Sequence, residues 1–301
     1  MYKIIESQEV QAARKSGQPI LALESTIITH GMPFPQNLEM VEKVEGIARN
    51  MGVTPATLAI IDGAIHIGLD PDILKDFATR KNCAKLSRAD LAHCVANGGT
   101  GATTVAATML IAKLAGIDVF ATGGIGGVHQ GAEESFDISA DLTELAKTDM
   151  IVVAAGAKAI LDLPKTFEYL ETQGVPVIGY QVDELPAFYS RASGIPAPLR
   201  ADHPREIAAS LKMRRALKIE GGVLVANPIP LDAEILSEDI LPVINAALAQ
   251  AQAQNITAKN VTPYLLDAIF HATEGRSLIA NIALVENNVR LGCEIALELA
   301  K

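Results

Sequence analysis

The most constraining feature of the sequence is a regular alternation of short, β-branched apolar runs with longer segments of helical periodicity. The apolar runs predict buried strands at residues 19–23, 58–61, 119–121, 150–154, 175–178 and 222–226. The intervening and following segments predict helices at residues 38–51, 71–80, 88–96, 103–115, 140–147, 204–219, 232–254, 263–273 and 277–300. This alternation favours a three-layer α/β/α fold with a largely parallel, mixed central sheet.

Length and composition set the domain organisation. The chain has 301 residues, of which 49% are hydrophobic and 20% charged, and this balance is ordinary for a globular protein. Length alone allows one large domain or two small ones. No internal repeat or convincing linker interrupts the pattern, so we predict a single domain over residues 1–301. The least regular segment, residues 186–202, predicts a surface loop or lid.

Charge and cysteine content exclude several classes of function. The formal net charge is −10, which disfavours binding to polymeric nucleic acid or an anionic membrane. We find no signal peptide and no apolar stretch of about 18 residues, so no membrane span is predicted. The three cysteines are odd in number and form no C-x-x-C pair. They predict neither disulfides nor a zinc site, and they fit the reducing cytoplasm.

Two titratable residues follow predicted strands. Glu24 comes directly after the first strand, and ligands of open α/β sheets bind beyond the carboxyl ends of strands. Burial there favours the protonated carboxyl group, which suits a general acid, but a structural glutamate paired with arginine or a helix N-terminus fits equally. Lys158 follows a later strand among small apolar residues, where desolvation favours a nucleophilic amine. The alternative is a solvated lysine on the first turn of the next helix.

An acidic cluster occupies residues 133–141. Asp137 and Asp141 are spaced i, i+4, so they share a face if a helix begins early enough. With Glu133 and Glu134 they offer oxygen ligands for Mg²⁺ or Mn²⁺. The alternative is that Asp137 or Ser139 only caps the helix.

Two glycine-rich stretches precede or follow predicted elements. Residues 98–104 precede a helix, whose free N–H groups favour a phosphate. Residues 124–129 follow a strand but end in His129, where a dinucleotide fingerprint has Gly or Ala, and neither stretch has a P-loop G-K-[ST]. Tight turns explain both stretches as well. Lys85 lies just before a predicted helix that Ser87 caps, and it either reaches a phosphate or is exposed.

Long and unusual strings link these separate signals. They are ALESTIITHGMP at residues 22–33, NGGTGATTV at 97–105, VFATGGIGGVH at 119–129, FDISADL at 136–142 and ANPIP at 226–230. From about residue 19 to 288, the chain resembles the pseudouridine-5′-phosphate glycosidases, also called indigoidine synthase A-like proteins.

The resemblance implies a role for each matching position. Glu24 is the implied proton donor and Lys158 the implied covalent nucleophile, while Asp137 is implied to bind one manganese ion per subunit. The implied substrate contacts are Lys85, Val105, Ser139, Ala140 and Asp141, with Thr122 and His129 at the phosphate and Asn281 at the base. A cytoplasmic homotrimer acting on a small molecule is implied as well.

The chemistry of such a substrate explains the lysine. Ordinary glycosidases break a bond to oxygen or nitrogen with two carboxyl groups. In pseudouridine, carbon joins uracil to the sugar, so the reaction needs an electron sink at C1′, which an amine supplies. Three other functions use some of the same residues: a Schiff-base aldolase for a sugar phosphate, a non-catalytic sugar-phosphate binder and an NAD-dependent oxidoreductase.

Overall fold

The structure is a computed structural model that describes residues 2–254, 256 and 261–301. Its described part contains eleven strands. They are β1 (Lys3–Glu6), β2 (Ile20–Leu23), β3 (Thr54–Ile61), β4 (Ala64–Ile67), β5 (Ala84–Leu86), β6 (Gly101–Thr103), β7 (Val119–Ala121), β8 (Ile151–Ala154), β9 (Val177–Tyr180), β10 (Leu199–Ala201) and β11 (Val223–Ala226).

Helices connect and cover these strands. They are α1 (Gln8–Ser16), α2 (Gln36–Asn50), α3 (Pro71–Thr79), α4 (Arg88–Ala96), α5 (Val105–Leu114), α6 (Ala132–Ser135), α7 (Ala140–Lys147), α8 (Leu163–Thr172), α9 (Pro204–Ala216), α10 (Ser237–Ala253), α11 (Val261–Ala272) and α12 (Arg276–Leu299). A π-helical turn, Ile27–Gly31, follows β2, and a 3₁₀ turn, Leu231–Ala233, precedes α10.

One mixed sheet contains all the described strands, in the order β1-β4-β3-β2-β7-β8-β11-β9-β10, with β6 and β5 branching from β3. Every pairing is parallel except those of β3 with β4 and with β6. All residues of β3, β8 and β11 are buried. Such burial of whole strands is expected for a parallel sheet that helices cover on both faces.

Two helical layers cover the sheet. Helix α12 packs on β2, β7 and β8 and contacts α2 and α9, whereas α5 packs on β2, β3 and β7 and contacts α7. The three-layer α/β/α prediction is therefore confirmed, while the single domain over 1–301 stays a prediction. None of the described helices is long and apolar enough to cross a membrane.

Most predicted elements lie within a few residues of the observed ones, and β7, α4 and α7 match to the residue. The sequence prediction missed β1, α1, β4, β5, β6, α6, α8 and β10. The strands β5, β6 and β10 have three residues each and lack the continuous apolar run that marks the equally short β7. Segment 186–202, predicted as an irregular loop, contains β10 near its end.

Candidate active site

A cavity of about 350 Å³ lies at the carboxyl ends of β2, β7 and β8. The chain leaves β2 towards β3 on one side of the sheet and leaves β7 towards β8 on the other, so the strand order reverses between β2 and β7. Open α/β sheets bind ligands at such a reversal. The cavity volume is at the small end of the range typical of ligand sites.

Ten of the eleven predicted site residues line this one cavity. They are Glu24, Lys85, Val105, His129, Asp137, Ser139, Ala140, Asp141, Lys158 and Asn281. The eleventh, Thr122, is buried behind the wall, and its hydroxyl donates to Glu24 instead of facing the cavity. The predicted residues thus come together in space, and their individual roles stay predictions.

Glu24 is held by hydroxyl groups. Its side chain is buried, and its two carboxylate oxygens accept hydrogen bonds from the hydroxyls of Thr26 and Thr122. The turn that carries it is anchored through Ser25, whose hydroxyl donates to the Leu58 carbonyl at 2.6 Å. Among the described residues, no cation or helix N-terminus pairs with Glu24. The alternative of a structural glutamate paired with an arginine or a helix N-terminus is therefore not observed.

Lys158 lies in the loop after β8 and not on a helix. Its backbone N–H donates to the Ile125 carbonyl at 3.0 Å, and α8 begins only at Leu163. The alternative of a solvated lysine on a first helical turn is therefore wrong. Gly156 has a φ of +81°, and a side chain there would meet the Pro186 carbonyl oxygen at 2.6 Å. Glycine at this position lets the loop turn into the cavity.

Asp141 joins the glycine-rich loop after β7 to the start of α5. One carboxylate oxygen accepts from the Gly126 N–H and the other from the Ala106 N–H, each at 2.8 Å. Ser139 caps α7 by accepting from the Asp141 N–H at 3.2 Å. Backbone N–H groups therefore occupy both oxygens of this carboxylate.

These bonds correct two sequence expectations. Helix α7 begins at Ala140, so Asp137 precedes it and does not share a helical face with Asp141. The first turn of α5 was expected to offer free N–H groups to a phosphate. Instead Asp141 and Thr104 accept from two of those groups. In addition, residues 98–104 contain the strand β6, which the sequence did not predict.

Asp137 is the best candidate for a metal ligand. It lines the cavity, and its carboxylate makes no hydrogen bond or ion pair with any described residue. Within the described ranges, no group of three or more His, Cys, Asp or Glu residues could hold an ion. The four acids of residues 133–141 therefore do not form one ligand cluster, and Asp137 offers a single carboxylate, the kind of oxygen ligand that a hard divalent cation with a partly aqueous shell takes.

Two histidines share the cavity with two lysines. Burial lowers the pKa of His30, and the nearby ammonium group of Lys85 lowers it further. Burial also lowers the pKa of His129 against the opposing charge of Asp137, with further lowering by Lys158 and Lys85. Both imidazoles are thus neutral at neutral pH, so the positive charge of the cavity lies on its lysines. This charge suits an anionic ligand despite the negative net charge of the chain.

Lys85 itself lies on β5, in parallel register with Ala102 of β6. Lys85 was predicted to lie just before a helix, and α4 does begin three residues later, at Arg88. The strand β5 was not predicted. Ser87, predicted as the N-cap of this helix, directly precedes α4, and its N–H donates to the Asp90 carboxylate at 2.8 Å in a capping box that was not predicted. The strand carries Lys85 into the cavity wall, which rules out a merely exposed lysine.

Sequence reasoning missed the buried asparagine pair below the glycine-rich loop. Asn288 on α12 donates to the Thr122 carbonyl at 2.7 Å and to the Gly123 carbonyl at 3.3 Å. Asn227, after β11, donates to the Asn288 side-chain oxygen at 3.0 Å. Asn281 and Asn288 are seven residues apart on an otherwise apolar helical face, and buried polar groups need partners. That pattern was the available signal.

Thr26 and Phe188 were also missed. Thr26 is one of the two hydroxyl donors to Glu24. Phe188 lines the cavity, and a side chain at Gly124 would approach its ring to 2.6 Å. No spacing rule connects Phe188 to the loop after β7, because the segments meet only in the folded chain.

Comparison with known proteins gives a consistent result. The sequence model of the family described as indigoidine synthase A like protein matches residues 9–298. A pseudouridine-5′-phosphate glycosidase from Paracoccus denitrificans (strain Pd 1222) is 61% identical over 98% of this chain and 97% of its own. An enzyme of the same name from Staphylococcus aureus (strain MW2) is 55% identical over 100% and 98%.

Two solved structures resemble the whole chain. A prealnumycin C-glycosynthase in complex with ribulose 5-phosphate has a TM-score of 0.91 and 38% identity, covering 99% of this chain and 97% of its own. An indigoidine synthase A-like protein from Thermotoga maritima has a TM-score of 0.91 and 33% identity, covering 100% and 97%.

Proposed function

The chain belongs to the indigoidine synthase A-like family, and on that premise we propose that it is a pseudouridine-5′-phosphate glycosidase. The reaction is the reversible cleavage of the carbon–carbon bond between uracil and ribose 5-phosphate, a lyase-type step in pseudouridine catabolism. The observation that carries the proposal is the meeting of a buried carboxyl group, Glu24, and an amine, Lys158, in one cavity at the reversal point of the sheet.

The cavity offers what a nucleotide of this kind requires. Lys85 supplies positive charge for the phosphate, while Ser139 and Asn281 supply hydrogen-bonding groups. The glycine-rich loop lets the backbone come close to a ligand because Gly123, Gly124 and Gly126 carry no side chain. We assign the base to the side of the cavity near Asn281 and the phosphate to the side near Lys85.

Lys158 acts as the nucleophile in the proposed mechanism. Glu24 gives a proton to the ribose ring oxygen as the bond from that oxygen to C1′ breaks, and the nitrogen of Lys158 bonds to C1′. This step places a nitrogen on C1′. The lone pair of that nitrogen can later stabilise positive charge at C1′.

Uracil then leaves with the electron pair of the carbon–carbon bond. The positively charged nitrogen on C1′ gives one proton to Glu24, which passes it to C5 of uracil. The bond from C5 to C1′ then breaks, and the freed nitrogen lone pair forms a C1′=N iminium with Lys158. Water hydrolyses this iminium, releases ribose 5-phosphate and restores the amine. The covalent adduct explains why the site holds a lysine where ordinary glycosidases hold a second carboxylate.

Asp137 is the residue that would hold the divalent ion, which we propose to be Mn²⁺. When bound, the ion would offset phosphate charge and fix the position of the substrate, as hard cations with partly aqueous shells do. This chain contributes the single carboxylate of Asp137 for that purpose, and Lys85 carries the remaining anion binding.

We also propose that the enzyme is a cytoplasmic homotrimer. The resemblance of the sequence to its family supports the trimer, and the three free cysteines support a reducing compartment. A molar mass measured by light scattering at three times 31.8 kDa would support the assembly, and the mass of a monomer or dimer would overturn it.

The decisive experiment follows uracil release from pseudouridine 5′-phosphate by chromatography, with Mn²⁺ and with a chelator. We expect metal-dependent release of uracil. In parallel, ribose 5-phosphate and borohydride are added to the protein, and peptide mass spectrometry locates the reduced adduct, which we expect on Lys158.

Three outcomes separate the rival functions. An adduct on Lys158 without uracil release would favour a Schiff-base aldolase. Binding of the nucleotide without turnover or adduct would favour a binding protein. Uracil release that persists without any adduct would keep the activity but overturn the covalent role of Lys158.

A further inference from the structure

We propose that Thr26 and Thr122 are positioning residues that hold Glu24 as a carboxylate in the resting enzyme. Glu24 then enters the reaction as a base and becomes the acid only after it has taken up a proton. The inference rests on the function proposed above and deepens it, because it assigns how the proton donor is prepared.

The hydrogen bonds determine which group donates. The hydroxyls of Thr26 and Thr122 each contact one oxygen of Glu24, and Thr122 is only 2% exposed. Neither hydroxyl has another acceptor among the residues that the structure describes. The buried hydroxyl proton of Thr122 requires an acceptor, and the hydroxyl of Thr26, at the cavity wall, is directed at the other oxygen. Both therefore donate to Glu24, and hydrogen bonds from two donors stabilise the anionic form of a carboxyl group.

The position of Thr122 is fixed from two sides. Its backbone N–H donates to the Val153 carbonyl at 2.9 Å, and its carbonyl accepts from the Asn288 side chain at 2.7 Å. Asn288 in turn accepts from Asn227 at 3.0 Å. This chain of bonds joins the ends of β7, β8 and β11, so the hydroxyl of Thr122 presents a fixed donor to Glu24.

The other buried glutamates are held differently. Glu45 accepts from the Thr57 hydroxyl at 2.7 Å but also pairs with Arg49 at 2.8 Å. Glu144 likewise pairs with Arg88. A guanidinium partner places a full positive charge beside the carboxylate, whereas two hydroxyl donors orient it without adding a charge. Glu24 has the second arrangement.

The proton has a defined source and destination. Lys158 shares the cavity with Glu24, and its ammonium group must lose one proton before its nitrogen can bond to C1′. That proton passes to Glu24 and then to the ribose ring oxygen. The nitrogen of Lys158 ends as a protonated secondary amine bonded to C1′, the ring oxygen as a hydroxyl, and Glu24 again as a carboxylate, so no proton is gained or lost overall.

The experiment compares Thr26→Val and Thr122→Val with the matched serine variants. Valine keeps the shape of threonine and removes the hydroxyl, whereas serine keeps the hydroxyl. The control is Thr57→Val, which removes a hydroxyl donor to a buried glutamate outside the cavity. Loss of one hydrogen bond to a charged group predicts a roughly 10- to 100-fold lower kcat in each valine variant. KM should change little, and the serine variants should recover most of the rate.

The pH profile of kcat separates positioning from a structural role. Removing a donor makes the carboxylate easier to protonate, so the acid limb should move to higher pH in the valine variants and stay in place in Thr57→Val. The same substrate is used throughout, so its own ionisation cancels. The other titratable groups of the cavity are unchanged in these variants, and they are His30, Lys85, His129, Asp137, Asp141 and Lys158.

A second readout needs no turnover. Infrared difference spectra between the wild type and Glu24→Gln, recorded over a range of pH, report whether Glu24 is a carboxylate or a protonated acid. We expect a carboxylate at neutral pH that protonates at higher pH in the valine variants. A protonated Glu24 in the resting wild type, or an acid limb that does not move, would overturn the inference. Failure of the proposed function would appear separately, as wild-type protein that releases no uracil.

Discussion

The two ends of the parallel strands β2, β7 and β8 differ in how acidic side chains are held. At the carboxyl ends, Glu24 accepts from two threonine hydroxyls and pairs with no cation in the described part of the chain. At the amino ends of β7 and β8, Asp118 and Asp149 pair with Arg215 at 2.5 and 2.8 Å, and Lys113 also contacts Asp149.

The difference distinguishes carboxylates that stabilise the fold from the carboxyl group proposed to take part in the reaction. Burial raises the pKa of Asp149, but hydrogen bonds from Arg215 and Lys113 outweigh it, so its pKa is lowered overall. Such a carboxylate is fixed in charge and ties α9 and α5 to the sheet. Glu24 has no cationic partner in the described part of the chain, where two neutral hydroxyl groups hold its carboxyl group. One end of the sheet therefore holds a network of ion pairs, and the other end holds the cavity of the candidate active site.

The largest contrast between the two ends should come from their lysines. Lys158→Ala removes the proposed nucleophile and should lower uracil release by roughly 10⁴-fold or more. Lys113→Ala removes a cation at the amino end and should leave kcat within a factor of about two, because its polar contacts with described residues are to Asp149, outside the cavity lining. Steady-state rates of both variants check the pair. Comparable losses of activity in the two variants would contradict the assignment of the reaction to the carboxyl ends of the strands.

A smaller effect is expected from the acids near the cavity. Asp137→Asn should lower activity by roughly 10- to 100-fold at a fixed Mn²⁺ concentration, the size typical of a lost metal-site contact, and excess metal should restore part of it. The matched control is Glu133→Gln, an exposed residue that pairs with Lys165. Metal titrations of activity provide the measurement. Equal metal dependence in both variants would argue against Asp137 as the ligand.

At the amino ends the effect should fall on stability. Arg215→Met removes the cation shared by Asp118 and Asp149 and should lower the free energy of unfolding by about 1–2 kcal/mol. The value is modest because the side chains are about one-third exposed. Chemical denaturation gives the stability, and kcat should not change. A large loss of kcat in a folded variant would show that the two ends are coupled.

The smallest expected effect is on how the free energy of unfolding depends on pH in the acidic range. The pKa of Asp149 in the folded chain lies below its ordinary value of 3.8. Its ion pairs therefore stabilise the fold above that value and are lost as the pH falls through the lower, folded-state pKa. Denaturation midpoints at stepped acidic pH should fall more gently in Arg215→Met than in the wild type. Parallel curves would mean that Arg215 does not set this pKa.

Much of the fold was predictable because its signals are local. Helix α4 was predicted to the residue, since the capping box at Ser87 and the pattern that follows it lie within one segment. The strands β5 and β6 were missed because three residues carry no period, and β6 is recognised only through its pairing with β3 and β5. Helix α8 did carry local signals, an Asp162 cap and Pro164 in its first turn, which were overlooked.

The sequence by itself determined which residues gather at the site. Glu24 and Lys158 follow predicted strands, and parallel strands bring their carboxyl ends together. Asp137 lies in the distinctive string FDISADL, and its place in the site followed from the resemblance to a known family. Only the tertiary structure decided how each group is held. The bond from Thr122 to Glu24 joins residues 98 positions apart, and that from Ala106 to Asp141 spans 35. Hydrogen bonds over such separations depend on packing between elements, and no local pattern encodes them.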